Sequence, residues 1–207
     1  AAFVLSNAVG VVRQVLIAGA FGTGGELEAF LTAQRLPDIL FNLAAGGALA
    51  SAFIPTFTGF LTRDDHAGAW RLASGVVNLV FLLLVATSLL AGIFAPAIVA
   101  LLAGGFPSEQ QALTVQLLRI LLLQPAIFGV SGLLMGILNA HQYFLLPALA
   151  PTLLWVGMII GLVALAPSLG IYGLAWGAVL GAVLHLAVQL PGLRQLKQAR
   201  YQLDLGR

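Results

Sequence analysis

The amino-acid sequence predicts an all-α membrane protein, a bundle of six transmembrane helices. Three observations predict it. Of 207 residues, 60% are hydrophobic and only 8% are charged, with a mean hydropathy of +1.05; a soluble domain carries roughly a quarter charged residues. Six segments each hold the roughly 20 mostly apolar residues that a helical crossing needs. Finally, the basic residues fall in alternate loops only, the pattern of a multi-pass chain.

The segments run approximately 1–21, 27–61, 70–102, 111–139, 146–166 and 172–190. The breaks between them carry turn chemistry: "GTGGE", "TRDDHAG", "GGFPSE", "AHQYF" and "PSLG", with "PGLRQ" closing the last. All are short, which predicts antiparallel neighbours in one lobe over residues 1–190. Residues 191–207 read as a basic cytoplasmic tail or the start of a linker to a second lobe; an amphipathic helix on the membrane surface is the other reading of this tail. Loops after even-numbered segments hold Arg63, Arg71, Arg194, Lys197, Arg200 and Arg207, whereas loops after odd-numbered ones hold acids such as Glu26 and Glu109. The positive-inside rule therefore places both termini in the cytoplasm.

The second segment is too long for a straight crossing, about 50 Å of helix against roughly 30 Å of hydrocarbon. Pro37 and the Gly46-Gly47 pair are the expected hinges. Gln124-Pro125 repeats the device in the fourth segment. Bent or broken helices in a membrane bundle are typical of transporters, where irregular backbone lines a polar cavity.

Arg13, Arg35, Asp38 and Arg119 fall within or near the apolar spans, and Glu28 sits at the outer end of the second. A charge at the bilayer centre costs at least about 2.5–3.5 kcal/mol on insertion scales, so these five are the candidate cavity residues. Arg35 and Asp38, three apart, share a helix face and either pair structurally or face the cavity. Arg13 has no acid within one turn; its partner comes from another helix, from Glu28 or from an anionic ligand. Arg119 is either buried or snorkels to an interface.

Other functions are disfavoured. There are no cysteines, which excludes disulfides, thiolate metal sites and thiol catalysis. His66, His141 and His185 share no ligand spacing, so no metal site is expected. Ser6, Ser51, Ser74 and Ser131 have no His-Asp company and read as packing residues. No catalytic residue is expected and the chain is not read as an enzyme. A net charge of +2 with scattered basic residues gives no nucleic-acid footprint. The 24 glycines fit close helix–helix approach. The opening residues show no signal-peptide pattern.

The run "VGVVRQVLIAGAFGTGGELEAFLTAQRLPDIL", then "GGALASAFIPTF", resembles the first hairpin of the MurJ/MviN lipid II flippase family, within the multidrug/oligosaccharidyl-lipid/polysaccharide exporter superfamily. "GILNAHQYFLLPALAPTLLWVGMII" and "LAWGAVLGAVLHLAVQLPGLRQL" resemble its fourth-to-fifth connection and its sixth helix and exit. The resemblance implies one lobe of a two-lobe, MATE-like transporter, with the second lobe in the same chain or a dimer partner. It implies a multi-pass protein of the bacterial plasma membrane, with an undecaprenyl-diphosphate-linked sugar as cargo, lipid II above all, moved to the outer leaflet by alternating access among membrane lipids. No cofactor is implied beyond a coupling ion or the membrane potential. The family's cavity residues match Arg13, Glu28, Arg35 and Arg119. Its further charges are replaced by Asn7, Phe41, Asn42 and Gly46. That loss motivates one alternative, a multidrug or cation exporter using Asp38 and Glu28; a non-transporting membrane scaffold, with the charges structural and Arg35–Asp38 a bridge, is the other.

Overall fold

Proline and glycine positions decide where the apolar segments become separate helices. The computed structural model describes residues 2–45 and 48–196, with side-chain surroundings for 6–42 and 52–196. Eleven helices occur among them: α1 (Ala2–Phe21), α2 (Gly25–Ala45), α3 (Ala48–Thr62), α4 (His66–Ile93), α5 (Ala95–Leu102), α6 (Ser108–Leu121), α7 (Gln124–Ala140), α8 (Leu145–Ile160), α9 (Ala166–Leu169), α10 (Ile171–Ala187) and α11 (Leu190–Gln195). One π-helical turn, Gly161–Leu165, joins α8 to α9. By length and composition four stretches can cross a membrane: His66–Ile93, Ser108–Ala140, Leu145–Leu169 and Ile171–Gln195; Ser6–Phe21 and Ala52–Thr62 are shorter apolar helices. The chain is an all-α, multi-pass membrane bundle.

Three boundaries differ from the sequence expectation. The segment expected to run unbroken over 70–102 stops at Phe94 and restarts as α5 with Pro96 in its first turn. Pro96 has no N–H to give the carbonyl of Gly92, four residues back. That carbonyl is taken instead by Arg119 Nε of α6 at 3.2 Å. The fourth segment divides into two helices at Gln124-Pro125, the hinge the sequence offered. Pro125 cannot donate to Leu121, so α6 ends there, and the proline sits in the first turn of α7, where an N–H is not needed. The sixth crossing ends at Ala187, and α11 begins at Leu190 after a turn. Pro37, by contrast, is accommodated inside α2, which stays helical on both sides of it. The expected hinge at Gly46-Gly47 and the basic residues Lys197, Arg200 and Arg207 lie outside the described residues.

Packing organises the bundle around two apolar clusters. One gathers α1, α2, α5, α6, α8 and α10 around Phe30, Leu117, Leu121 and Leu174. The other gathers α3, α4 and α7 around Phe57, Val80, Leu84 and Ile137. Leu40 of α2 touches both. In lipid there is little hydrophobic drive between helices, so close van der Waals contact must supply the association. The seam of α8 and α10 does this with glycines. A Cβ on Gly161 would lie 2.2 Å from the Cα of Gly177, and one on Gly157 would lie 2.3 Å from the Cα of Gly181. Backbone meets backbone there, so no rotamer change can relieve an added side chain.

Gly177→Leu is accordingly expected to destabilise the bundle by at least about 3 kcal/mol, at the upper end of overpacking costs. Gly75→Ala on α4, where an added Cβ meets nothing within 4 Å, is expected to be neutral or to stabilise by about 0.5–1 kcal/mol through helix propensity. Thermal unfolding of the two purified variants in the same detergent checks the pair.

Candidate substrate cavity

The polar interior of the bundle begins with spacing on α2. Leu27, Leu31, Gln34 and Asp38 follow one another at three- and four-residue steps and so share one face. That face lines a cavity of about 230 Å³ together with Arg13 and Ile17 of α1, Gln124 and Phe128 of α7, and Trp155 and Met158 of α8. Arg35 is one residue round from Gln34 and falls off this face; it is exposed and outside the cavity.

Arg13 is partly buried, with its guanidinium carbon 4.1 Å from the centre of the Trp155 ring. A cation over an indole face is stabilised by about 0.5–2 kcal/mol. Its Nη2 donates to Gln14 Oε1 at 2.9 Å and its Nη1 reaches the weak acceptor Met158 Sδ at 3.6 Å. Its Nε is buried with no partner. Among the described residues the only ion pair is His66 with Asp64 at 2.9 Å, so Arg13 has no carboxylate against it. Opposite, Gln34 Nε2 donates to Asp38 Oδ1 at 3.0 Å and to Gln124 Oε1 at 3.1 Å, while Gln34 Oε1 is buried without a partner. The cavity thus presents an unneutralised guanidinium, one carboxylate and orphaned donor and acceptor atoms. A guanidinium of this kind suits bidentate recognition of an oxyanion such as a phosphate.

The sequence-derived set divides. Arg13 and Asp38 share the cavity. The Arg35–Asp38 pairing does not form; Asp38 is held by Gln34 instead, because the four-residue step aligns them better than the three-residue one. Glu28 stands at the end of the bundle, where Gln110 Nε2 donates to its Oε2 at 3.2 Å and to the Gly25 carbonyl at 3.1 Å, tying α2 to α6. Arg119 is occupied at Gly92 and lines two outer hollows rather than this cavity. Of the expected hinges, Pro37 and Pro125 are both buried. Phe41, where the resemblance leads one to expect a positive charge, packs against the cavity residue Phe128 with ring centres 5.4 Å apart. Asn7 and Asn42 are exposed.

Sequence reasoning missed Gln34, Gln124 and Trp155. Gln124 did leave a signal, an uncharged amide amid "RILLLQPAIF"; Trp155 left none. It also left Ser131 and His185 without partners. The structure joins them: Ser131 Oγ lies 2.7 Å from His185 Nδ1, and Gln189 Nε2 donates to Ser131 Oγ at 2.6 Å and to the His185 carbonyl at 2.9 Å. No carboxylate takes part, so this is a buried polar clasp between α7 and α10, with the edge of Phe128 packed on the imidazole.

This fold, an all-α multi-pass bundle with a polar cavity inside it, is that of one lobe of a MATE-like membrane protein. Comparison with known proteins narrows the class. The family model described as "Lipid II flippase MurJ" matches residues 17–204, and the chain belongs to that family. A Burkholderia cenocepacia protein named lipid II flippase MurJ is 36% identical over 196 residues, covering 93% of this chain and 38% of that protein. A Thermosipho africanus protein of the same name is 30% identical over 181 residues, 86% of this chain and 37% of that one. A solved structure titled lipid II flippase MurJ, inward closed conformation, superposes with a TM-score of 0.77 at 25% identity, over 99% of this chain and 42% of that one. The chain therefore spans well under half the length of these relatives.

Gln34→Leu, which removes both amide bonds and leaves the buried Gln124 oxygen unpaired, is expected to lower stability by about 1–3 kcal/mol. Arg35→Gln, one residue away but outside the network, is expected to stay within about 0.5 kcal/mol of the parent. Unfolding of each variant in detergent, followed by circular dichroism, checks the contrast.

Proposed function

We propose that this chain is one lobe of a flippase that moves lipid-linked oligosaccharides, with lipid II as the cargo, from the inner to the outer leaflet by alternating access. The observation that carries the reading is Arg13: a guanidinium inside a membrane bundle, stacked on Trp155, with no carboxylate against it and a buried Nε left unpaired. An intramembrane charge left in that state is expensive and calls for an anionic partner. The diphosphate of an undecaprenyl-diphosphate-linked sugar supplies one. A cavity of about 230 Å³ is smaller than the roughly 300–1,000 Å³ that engulfs a drug-sized ligand. It suits the phosphate part of the cargo, with a second lobe closing over the rest.

The remaining assignments follow from this reading. Residues 1–190 form the lobe, and residues 191–207 are its basic tail or the beginning of a connection to the second lobe. Both termini face the cytoplasm, on the distribution of Arg63, Arg71 and Arg194. The protein carries out no covalent chemistry; a coupling ion or the membrane potential drives the cycle. Arg13, Asp38, Gln34 and Gln124 hold the headgroup. The family match favours the flippase over the multidrug exporter and the scaffold, although Asp38 is placed where a cation site would need it.

In the protein expressed from its full reading frame, Arg13→Ala is expected to reduce flipping of labelled lipid precursor by about tenfold or more, the worth of a charge-assisted hydrogen bond to phosphate. Arg13→Lys keeps the charge but loses the planar fork and is expected to fall between. Arg35→Gln is expected to flip within about twofold of the parent. Unchanged flipping in Arg13→Ala removes Arg13, and with it this reading of the cavity.

A further inference from the structure

A second hollow lies on the outer wall of the bundle, away from the Arg13 cavity. It is a groove of about 700 Å³ between α4, the α6–α7 break and α10, walled by Phe81, Val85, Leu89, Leu122, Ile127 and Val179. Two polar features interrupt this apolar wall. Ser88 Oγ is buried in it with no hydrogen-bond partner. Arg119 stands at one end, exposed, with its Nε spent on the Gly92 carbonyl. Its two terminal nitrogens make no hydrogen bond or ion pair among the described residues. On the far side of Arg119 a separate hollow of about 410 Å³ opens, edged by Ser108, Gln111 and Gln116. The guanidinium is therefore the shared wall between an oily groove and a polar one.

Depth in the membrane turns this arrangement into a site. The N-terminal part of α6 carries Ser108, Glu109, Gln110, Gln111, Thr114 and Gln116, and Arg119 follows Gln116 three residues later, about 4.5 Å of helix. Arg119 thus lies within about one helical turn of the hydrocarbon boundary. From Gly92, which Arg119 touches, the groove descends α4 to Phe81, about 16 Å of helix and half the bilayer thickness. One charged end at the headgroup level and one leaflet's depth of apolar wall match a single acyl chain hung from an anionic headgroup.

We infer that this groove is a binding site for an anionic phospholipid of the surrounding bilayer, its phosphate on Arg119 and its headgroup in the polar hollow, its acyl chain along α4 and α7. The site is separate from the Arg13 cavity and does not depend on the identity of the cargo. The break at Phe94 builds it: Pro96 frees the Gly92 carbonyl, that carbonyl fixes Arg119 through Nε, and the fixed guanidinium turns its remaining donors outward.

The test uses the protein from its full reading frame, purified in a neutral detergent and mixed with equal amounts of phosphatidylglycerol and phosphatidylcholine of matched chains. Native mass spectrometry reads which lipid is retained. The parent is expected to retain phosphatidylglycerol preferentially. Arg119→Gln is expected to lose that preference by about fivefold, the worth of one basic residue at a membrane surface. Arg71→Gln, an exposed arginine outside the groove, is expected to leave it unchanged. Ser88→Phe, which fills the groove, is expected to lower retention of both lipids; should it not fold, Arg119→Gln with its Arg71 control still decides. Equal retention in parent and Arg119→Gln overturns the proposal, as it would mean that the rest of the protein covers the groove. An equal loss in Arg71→Gln overturns it in favour of diffuse charge. Complete displacement of phosphatidylglycerol by equimolar undecaprenyl phosphate overturns it in favour of the polyprenyl carrier.

Discussion

The glycine seam between α8 and α10 governs where the rest of the lobe can sit. Helices in lipid gain little from hiding apolar surface, so association depends on how closely their backbones approach. Gly157 and Gly161 on one helix and Gly177 and Gly181 on the other bring them into backbone contact. With α8 held by that seam, Trp155 and Met158 are turned toward α1. Those two side chains are what Arg13 meets. The placement of the one unneutralised guanidinium in the cavity therefore rests, through α8, on residues that carry no chemistry at all.

Proline supplies the second organising constraint by leaving carbonyls without donors. Pro125 ends α6 and starts α7, which delivers Gln124 to the cavity beside Gln34. Pro96 ends α4 and leaves Gly92 to Arg119. In water such carbonyls would be hydrated; in hydrocarbon they must find a protein partner. At the first break the freed Gly92 carbonyl recruits Arg119 from α6, and at the second the restart of α7 delivers Gln124; each of these side chains lies at a hollow. The same covalent fact, a missing N–H, shapes both the inner cavity and the outer groove.

The loss of positive charge at Phe41 and Asn42 has a structural counterpart. Phe41 packs at a tilt against Phe128, which in turn packs against His185 in the Ser131–Gln189 clasp. Aromatic packing here occupies the space where the family resemblance leads one to expect charge. The binding wall then leans on Arg13, with neutral amides from Gln34 and Gln124 around it, which concentrates the electrostatic grip on one residue.

Much of this was legible from composition and period. Hydropathy alone required a helical membrane bundle, because only helices and closed barrels satisfy their backbone in lipid and the long apolar runs are of helical length. The quoted motifs carried the family, and the cost of intramembrane charge pointed to Arg13, Glu28, Arg35, Asp38 and Arg119, of which Arg13 and Asp38 line the cavity. What the sequence could not rank was which charges meet. Arg35 and Asp38 are three apart, close enough either to pair or to face the cavity together, yet Gln34, four residues back, holds Asp38. Glu28 and Arg119 were read as cavity residues too, yet Glu28 meets Gln110 at the end of the bundle and Arg119 meets the Gly92 carbonyl on its outer wall. Such choices depend on helix rotation and on contacts between residues as far apart as Arg13 and Met158, and a local pattern holds no information about either. The sequence by itself determined the solvent and the helical class, which follow from hydropathy and backbone, whereas packing decided that Pro96 breaks a helix and Pro37 does not. Only the tertiary structure decided which polar atoms would find partners and which would be left free for a ligand.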